Sequence, residues 1–250
     1  MAKGAAIKFT SYEQSVPQIL DLLKLPYELK KHPKIILKPT LTEDPKTSTP
    51  AALVEATLKY LLDQKNPVAE IFIAEGADGF HTEELFRDQG YTALAEKYGV
   101  GLIDLNTAET EEKEHHEFLR FDSIQFPTLL KDSFLITLPK LAQDPELELQ
   151  GALSSTLGLF PADHYRGFLA ANKSKIRKWP AKYAIHDITR CKMPDLALLD
   201  STDHGLLVAG KPLAVDKKAA QLSGLIWKDI GYLKMMDEAE QEEAPQIQKA

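Results

Sequence analysis

A chain of 250 residues is near the upper size for one hydrophobic core, and its 44% apolar and 27% charged content suits a globular protein. The formal net charge of −7 disfavours general nucleic-acid binding and docking on an anionic membrane. A single cysteine, Cys191, excludes an internal disulfide and a cysteine-ligated cluster; with no signal-peptide core in MAKGAAIKFTSYEQ and no apolar run near ~20 residues, a cytoplasmic protein is expected.

Ala5–Phe9 reads as a short strand, followed by a helix from about Tyr12 to Leu25 whose Val16, Ile19, Leu20 and Leu23 share one face. Lys34–Lys38 (KIILK) is a buried-strand candidate closed by Pro39. In the next helix Thr49 is expected to cap, Pro50 to occupy the first position, and Leu53, Val54, Leu58, Leu61 and Leu62 to form the apolar stripe. Ala69–Ala74 is a strand ending at Glu75-Gly76. A helix begins near Thr82, a second covers Tyr91–Tyr98 with Gly99 as its left-handed cap, and Val100–Leu105 is a further strand.

This alternation predicts parallel βαβ units with right-handed crossovers. Thr107–Glu117 is expected to be a solvated, glutamate-rich loop, Leu119–Phe126 an edge strand and Pro127–Asp132 a short helix. The strand Phe134–Leu138 runs into Pro139-Lys140, an acidic loop, and an apolar helix ending at Gly158 before the Pro161 turn. Beyond it come a basic helix His164–Trp179, a short helix over Ala181–Thr189, strands at Asp195–Asp200 and Gly205–Ala209, and closing helices at Leu213–Gly224 and Lys228–Ala239. The fold class is therefore α/β: a mainly parallel sheet with helices on both faces and a helical addition over Asp163–Lys192. Residues 1–240 are read as one domain and residues 241–250 as a flexible acidic tail.

In an open parallel sheet, ligands bind beyond the carboxyl ends of the strands. The residues there are Lys38, Glu75, Asp104, Lys140 and Asp200. Two ammonium groups among carboxylates suit a small anionic ligand or a proton transfer, although any one of them could be a solvated strand end. Lys38 and Lys140 stand out because each adjoins a proline that fixes the local backbone. Glu75, Asp78 and His81 carry oxygen and nitrogen donors suited to a divalent metal, but turn chemistry alone accounts for Gly76, Asp78 and Gly79, so no metal or cofactor is assigned. His164, beside Tyr165 and Arg166, is a pocket candidate. Asp216 is placed to stabilise the first turn of a helix. The run Lys173–Lys182 is read as a charged outer helix face, or as a surface for phosphate or an acidic partner with Trp179 for stacking. No Walker phosphate loop, GxGxxG, HExxH, GxSxG or CxxC is present.

Several phrases together resemble the family called domain of unknown function 362: IILKPTLTE, TPAALVEATLKYL, AEIFIAEG, GYTALAEKYGVGLIDLN, FLITLPKL, GALSSTLGLFP with His164, DLALLD and PLAVDKKAAQLSG. The resemblance runs through nearly the whole chain and implies a redox- or cofactor-linked role with an iron–sulfur protein partner. Lys38, Glu75, Lys140, Gly158, His164 and Asp216 match the family pattern. The chain departs from it where a lysine and a histidine are expected after Lys140, where Ser154 and Ser155 replace Lys-Asn, and in the shortened loop STDHG; it also has no ferredoxin segment. Two readings follow. In the first, an enzyme-like cleft takes a small anionic ligand. Lys38 and Lys140 hold the anion, Glu75 is base or metal ligand, His164 is the acid–base group, and Gly158, Asp200 and Asp216 complete the ligand site. In the second, the scaffold is a non-catalytic binding or regulatory module.

Overall fold

The computed structural model describes residues 4–77, 81–161 and 180–247, with side chains as far as residue 242. In chain order the strands and helices are β1 (Gly4–Lys8), α1 (Tyr12–Leu22), α2 (Leu25–Leu29), β2 (Lys34–Pro39), α3 (Ala51–Gln64), β3 (Glu70–Glu75), α4 (Thr82–Asp88), α5 (Tyr91–Tyr98), β4 (Gly101–Asp104), β5 (Thr110–Lys113), β6 (Ile124–Pro127), β7 (Ser133–Leu138), α6 (Ala181–Cys191), β8 (Leu196–Ser201), β9 (Leu206–Gly210), α7 (Pro212–Leu222) and α8 (Gly231–Ile247). Seven strands form one sheet in the order β1-β9-β8-β7-β2-β3-β4. The neighbours from β8 to β4 are parallel, while β9 and β1 add an antiparallel edge. The fold is α/β, as its alternating sequence requires.

The central strands are aliphatic along their whole length because both faces are covered. Ile35, Leu37, Ile136 and Leu198 point into a core shared with α1 to α5. Ile36, Leu135, Ala197 and Leu199 point into a second core with β6, the 141–160 segment, α6, α7 and α8. The chain passes from β2 outward through β3 to β4, then crosses back to place β7 on the other side of β2. The β2/β7 boundary is thus where the strand order reverses, the position at which such sheets open a crevice.

Several local expectations change. Thr49 does not cap α3: Pro50 holds the N-cap position, and the Thr49 hydroxyl donates to the Leu138 carbonyl, tying the helix entry to the end of β7. The glutamate-rich stretch contains β5, which pairs with β6 in a separate two-stranded ribbon, so Leu119–Phe126 does not supply an edge to the main sheet. Ile124 and Phe126 bury one face of that ribbon, and the Lys113 ammonium lies 3.6 Å from the Phe126 ring centroid. Only a 3-10 turn occupies Thr128–Leu130.

The expected apolar helix before Gly158 is a 3-10 stretch, Ser154–Leu159. The hydroxyls of Ser154, Ser155 and Thr156 each bond back to the carbonyl three residues earlier, which favours the tighter turn over an α-helix. Helix α8 starts at Gly231 and its backbone continues to Ile247, through most of the expected tail. No helix among the described residues is long and apolar enough to cross a membrane.

Candidate functional site

Lys38 is the next-to-last residue of β2 and Glu75 the last of β3, and the two side chains meet. Lys38 Nζ lies 2.6 Å from Glu75 Oε2 and also donates to the Pro39 carbonyl at 2.9 Å. Glu75 Oε1 accepts the N–H groups of Gly76 and Ala77 at 2.8 and 2.9 Å. Each side chain is only 1% exposed. Burial pushes the Lys38 amine down from its ordinary pKa and the Glu75 carboxyl up, while their mutual contact acts the other way. Out of water, the ion pair and the neutral amine–acid pair lie closer in energy than they would at a surface.

This pair forms the floor of a cleft of about 320 Å³ at the strand-order reversal. The loop after β2 supplies Thr40, Thr42, Asp44 and Thr47 to one wall; the segment after β7 supplies Gln143, Asp144, Gln150, Ser154, Ser155 and Gly158 to the other. Gln150 links the two walls, donating through Nε2 to the carbonyls of Thr47 at 2.7 Å and Lys140 at 3.0 Å. Gly158 sits directly on the pair. A Cβ there would overlap the Glu75 carboxylate and lie 3.2 Å from Lys38 Nζ, so only glycine lets the backbone approach this closely. The Gly158 carbonyl accepts the Gly76 N–H at 2.9 Å, which fastens the far wall to the end of β3.

Two hydroxyls beside the pair are buried and have no hydrogen-bond partner among the described residues: Thr40 Oγ1 and Thr137 Oγ1. Thr137 is the register partner of Lys38 across β2/β7. By the two-residue period of a strand, Lys38 projects to the side of Ile36, and Thr137 shares that side with Leu135; Thr40 follows the end of β2 and lines the cleft.

Asp216 acts on the wall from behind. It is fully buried in α7, and its two oxygens accept the N–H groups of Ala152 at 2.6 Å and Leu153 at 2.9 Å. Gly151 packs against the same carboxylate, where a Cβ would collide with it. Burial raises the Asp216 carboxyl to about 7. Asp216 therefore holds the turn that carries Ser154 to Gly158; it does not cap the first turn of its own helix and does not line the cleft.

The structure separates Lys140 and Asp200 from Lys38. Their backbones bridge as an extension of β7 and β8. Counting from Leu138 and Leu198, both side chains face the side packed by α1. Asp200 Oδ2 accepts the Tyr12 hydroxyl at 2.8 Å, and Lys140 Nζ reaches Asp203 at 2.9 Å and Asp200 at 4.0 Å. The two-lysine anion site expected from the sequence is therefore not assembled: one lysine is matched by Glu75 in the cleft, and the other is paired on the opposite face. Among the described lining residues the charged groups are Lys38, Glu75, Asp44 and Asp144, an acidic balance. Asp104 ends β4 next to a different depression with Glu83 and Thr107, and burial raises its carboxyl.

The sequence profile of the family described as domain of unknown function (DUF362) matches residues 35–209, a span that holds Lys38, Glu75, Gly158 and both cleft walls. The chain belongs to that family. A crystal structure of a protein from Thermotoga maritima shares the fold with a TM-score of 0.52 at 13% identity, over 85% of this chain and 59% of that one. This DUF362 chain therefore spans well under two thirds of that protein's length, and the likeness concerns the fold alone. No curated protein matches the chain.

His164, Asp78 and most of the basic run, as far as Trp179, lie outside the described residues. Of the remaining metal candidates, Glu75 turns its oxygens onto Lys38 and the backbone, and His81 is exposed. Sequence reasoning missed Thr137, Gln150 and Asp187. Thr137 is the one polar residue in an otherwise aliphatic run, FLITL, which is a usable signal. Asp187 is buried in α6, accepts the N–H groups of Leu119, Arg120 and Phe121, and meets His186 Nδ1 at 2.9 Å. Nothing in its local sequence distinguishes it.

Proposed function

We propose that the cleft at the β2/β7 reversal binds a small polar ligand and that Lys38 and Glu75 move a proton to or from it. The observation that carries this reading is the contacting, fully buried Lys38–Glu75 pair lining an open cleft at the strand ends. A surface pair of the same residues would be a weakly held solvated contact. A pair held inside the protein, with burial pushing the amine down and the carboxyl up, brings their proton affinities toward each other, as acid–base chemistry needs.

The ligand is better matched as neutral or cationic than as an anion. The cleft presents hydroxyls from Thr40, Thr42, Ser154 and Ser155, amides from Gln143 and Gln150, and more carboxylates than amines. A hydroxylated or amine-bearing small molecule meets this lining without bringing a second negative charge against Glu75, Asp44 and Asp144. A redox- or cofactor-linked reaction and an iron–sulfur protein partner remain within the proposal as what the family resemblance implies for the same cleft.

The test is a small-molecule screen by amide NMR, with neutral polyols, amines and carboxylates as separate pools. Binding in the cleft shifts the amides of Gly76, Ala77 and Gly158 and leaves those of Asp200 and Thr202 still. Hits drawn mainly from the polyol or amine pools support the reading; shifts confined to the Tyr12–Asp200 face refute it. A non-catalytic binding module predicts instead that Lys38→Ala leaves partner capture intact while charge reversal at Lys175 and Arg177 abolishes it.

A further inference from the structure

A lysine amine in contact with a carboxylate at the floor of a cleft can do more than shuttle a proton. From the grouping of Lys38, Glu75 and Thr40 in the cleft we infer that Lys38 is an imine-forming lysine and that the ligand is an aldehyde or ketone. This rests on the reading of the cleft as the ligand site and deepens it.

Imine formation needs a nucleophilic amine, a group that takes up and returns its protons, and donors for the oxygen that is expelled. Lys38 Nζ has its proton acceptor at 2.6 Å in Glu75 Oε2, and Glu75 is held in place by two backbone N–H groups on its other oxygen. Gly158 meets the pair with backbone alone, and Lys38 and Glu75 both line the cleft. Thr40 lines the cleft with Lys38 and Glu75, and its buried hydroxyl has no partner among the described residues. In the step inferred here it donates to the carbonyl oxygen. Burial of the amine, which favours its unprotonated form, acts in the same direction.

The step balances without an outside reactant. The Lys38 ammonium passes a proton to Glu75, and the freed nitrogen lone pair attacks the carbonyl carbon. The C=O electron pair moves to oxygen, which gains a proton from Glu75 while the nitrogen returns one, giving a neutral carbinolamine and a protonated carboxyl. The nitrogen lone pair then expels the hydroxyl, Glu75 delivers its proton to it, and water leaves. One ammonium and one carbonyl become one iminium and one water, and the step begins and ends with one positive charge beside the Glu75 carboxylate. Reversal releases the ligand.

The experiment uses the full chain, with glyceraldehyde and pyruvate as probes, sodium cyanoborohydride to fix any imine, and peptide mapping by mass spectrometry. Lys31 and Lys97, exposed at 63% and 61%, are internal references. In folded protein at neutral pH, Lys38 is expected to be modified about tenfold faster than either reference by at least one probe, and the advantage should vanish in urea. Glu75→Gln, checked for folding by circular dichroism, should remove the advantage because its amide cannot carry the proton. Modification of Lys38 no faster than the references with both probes, or an unchanged rate in Glu75→Gln, overturns the inference. The cleft reading is tested separately with Gln143→Trp, a substitution at an exposed lining residue that fills the cleft. If Lys38 is inert yet Gln143→Trp abolishes the NMR shifts of the screen, the covalent step fails and the binding site stands.

Discussion

At the residue scale, the energetics centre on two charges that have left water together. Removing one partner of a buried ion pair strands the other, so Lys38→Met should destabilise the protein by about 3–5 kcal/mol, while Lys38→Met with Glu75→Leu should recover much of that loss. Urea unfolding of the single and double variants measures both; a double variant as unstable as the sum of the singles would show that the pair is not coupled. Gly158→Ala places a methyl group against the Glu75 carboxylate, and overpacking at this site should cost about 1–3 kcal/mol. The positions of Lys38 and Glu75 were legible in the sequence because each closes an aliphatic strand run. The separation of Lys140 was not. Which side of the sheet Lys140 faces depends on the register in which Lys38 pairs with Thr137, and aliphatic strands buried on both faces show no alternation from which to read that register.

At the element scale, the Ser154–Leu159 turn is held from outside. Asp216 satisfies the N–H groups of Ala152 and Leu153, and the Tyr232 hydroxyl bonds to the Leu149 carbonyl at 3.3 Å. Because burial raises the Asp216 carboxyl from 3.8 to about 7, the folded protein keeps a proton that the unfolded chain has already released over that interval. Stability from this group is full below pH 3.8 and falls as pH rises to about 7, by an amount on the order of a few kcal/mol. Denaturation midpoints at pH 5 and pH 8 should show this slope in the wild type and lose it in Asp216→Asn; an equal slope in both would assign it to another group. Asp187 carries the opposite sign. Its hydrogen bonds hold the carboxyl below the usual range against the effect of burial, so its contribution is lost as pH falls. Asp187→Ala removes the acceptor shared by the N–H groups of Leu119, Arg120 and Phe121 and should speed their hydrogen exchange; unchanged exchange would show that the carboxylate does not hold this turn. The helix stripes of α1 and α3 were readable from apolar spacing. The 3-10 turn was not, because its tie to Asp216 joins residues some 60 positions apart.

At the scale of the whole molecule, one topological event makes the site. The return of the chain from β4 to β7 sets two loops on opposite sides of the β2 end, and Gln150 and the Gly158–Gly76 bond fasten them across the gap. The alternation of strands and helices predicted the α/β class. The antiparallel β9–β1 edge was hidden because its pairing partners lie far apart in sequence, and the β5–β6 ribbon because the charged strand TEEK reads as a solvated loop. The cleft over Lys38 and Glu75 is the ligand site proposed for this fold. Native mass spectrometry with elemental analysis of protein purified without added ligand tests it most directly. A bound small molecule present in the wild type and missing from folded Gln143→Trp and Lys38→Ala protein is the predicted result. A ligand retained at full occupancy in both variants would place binding elsewhere and contradict the account.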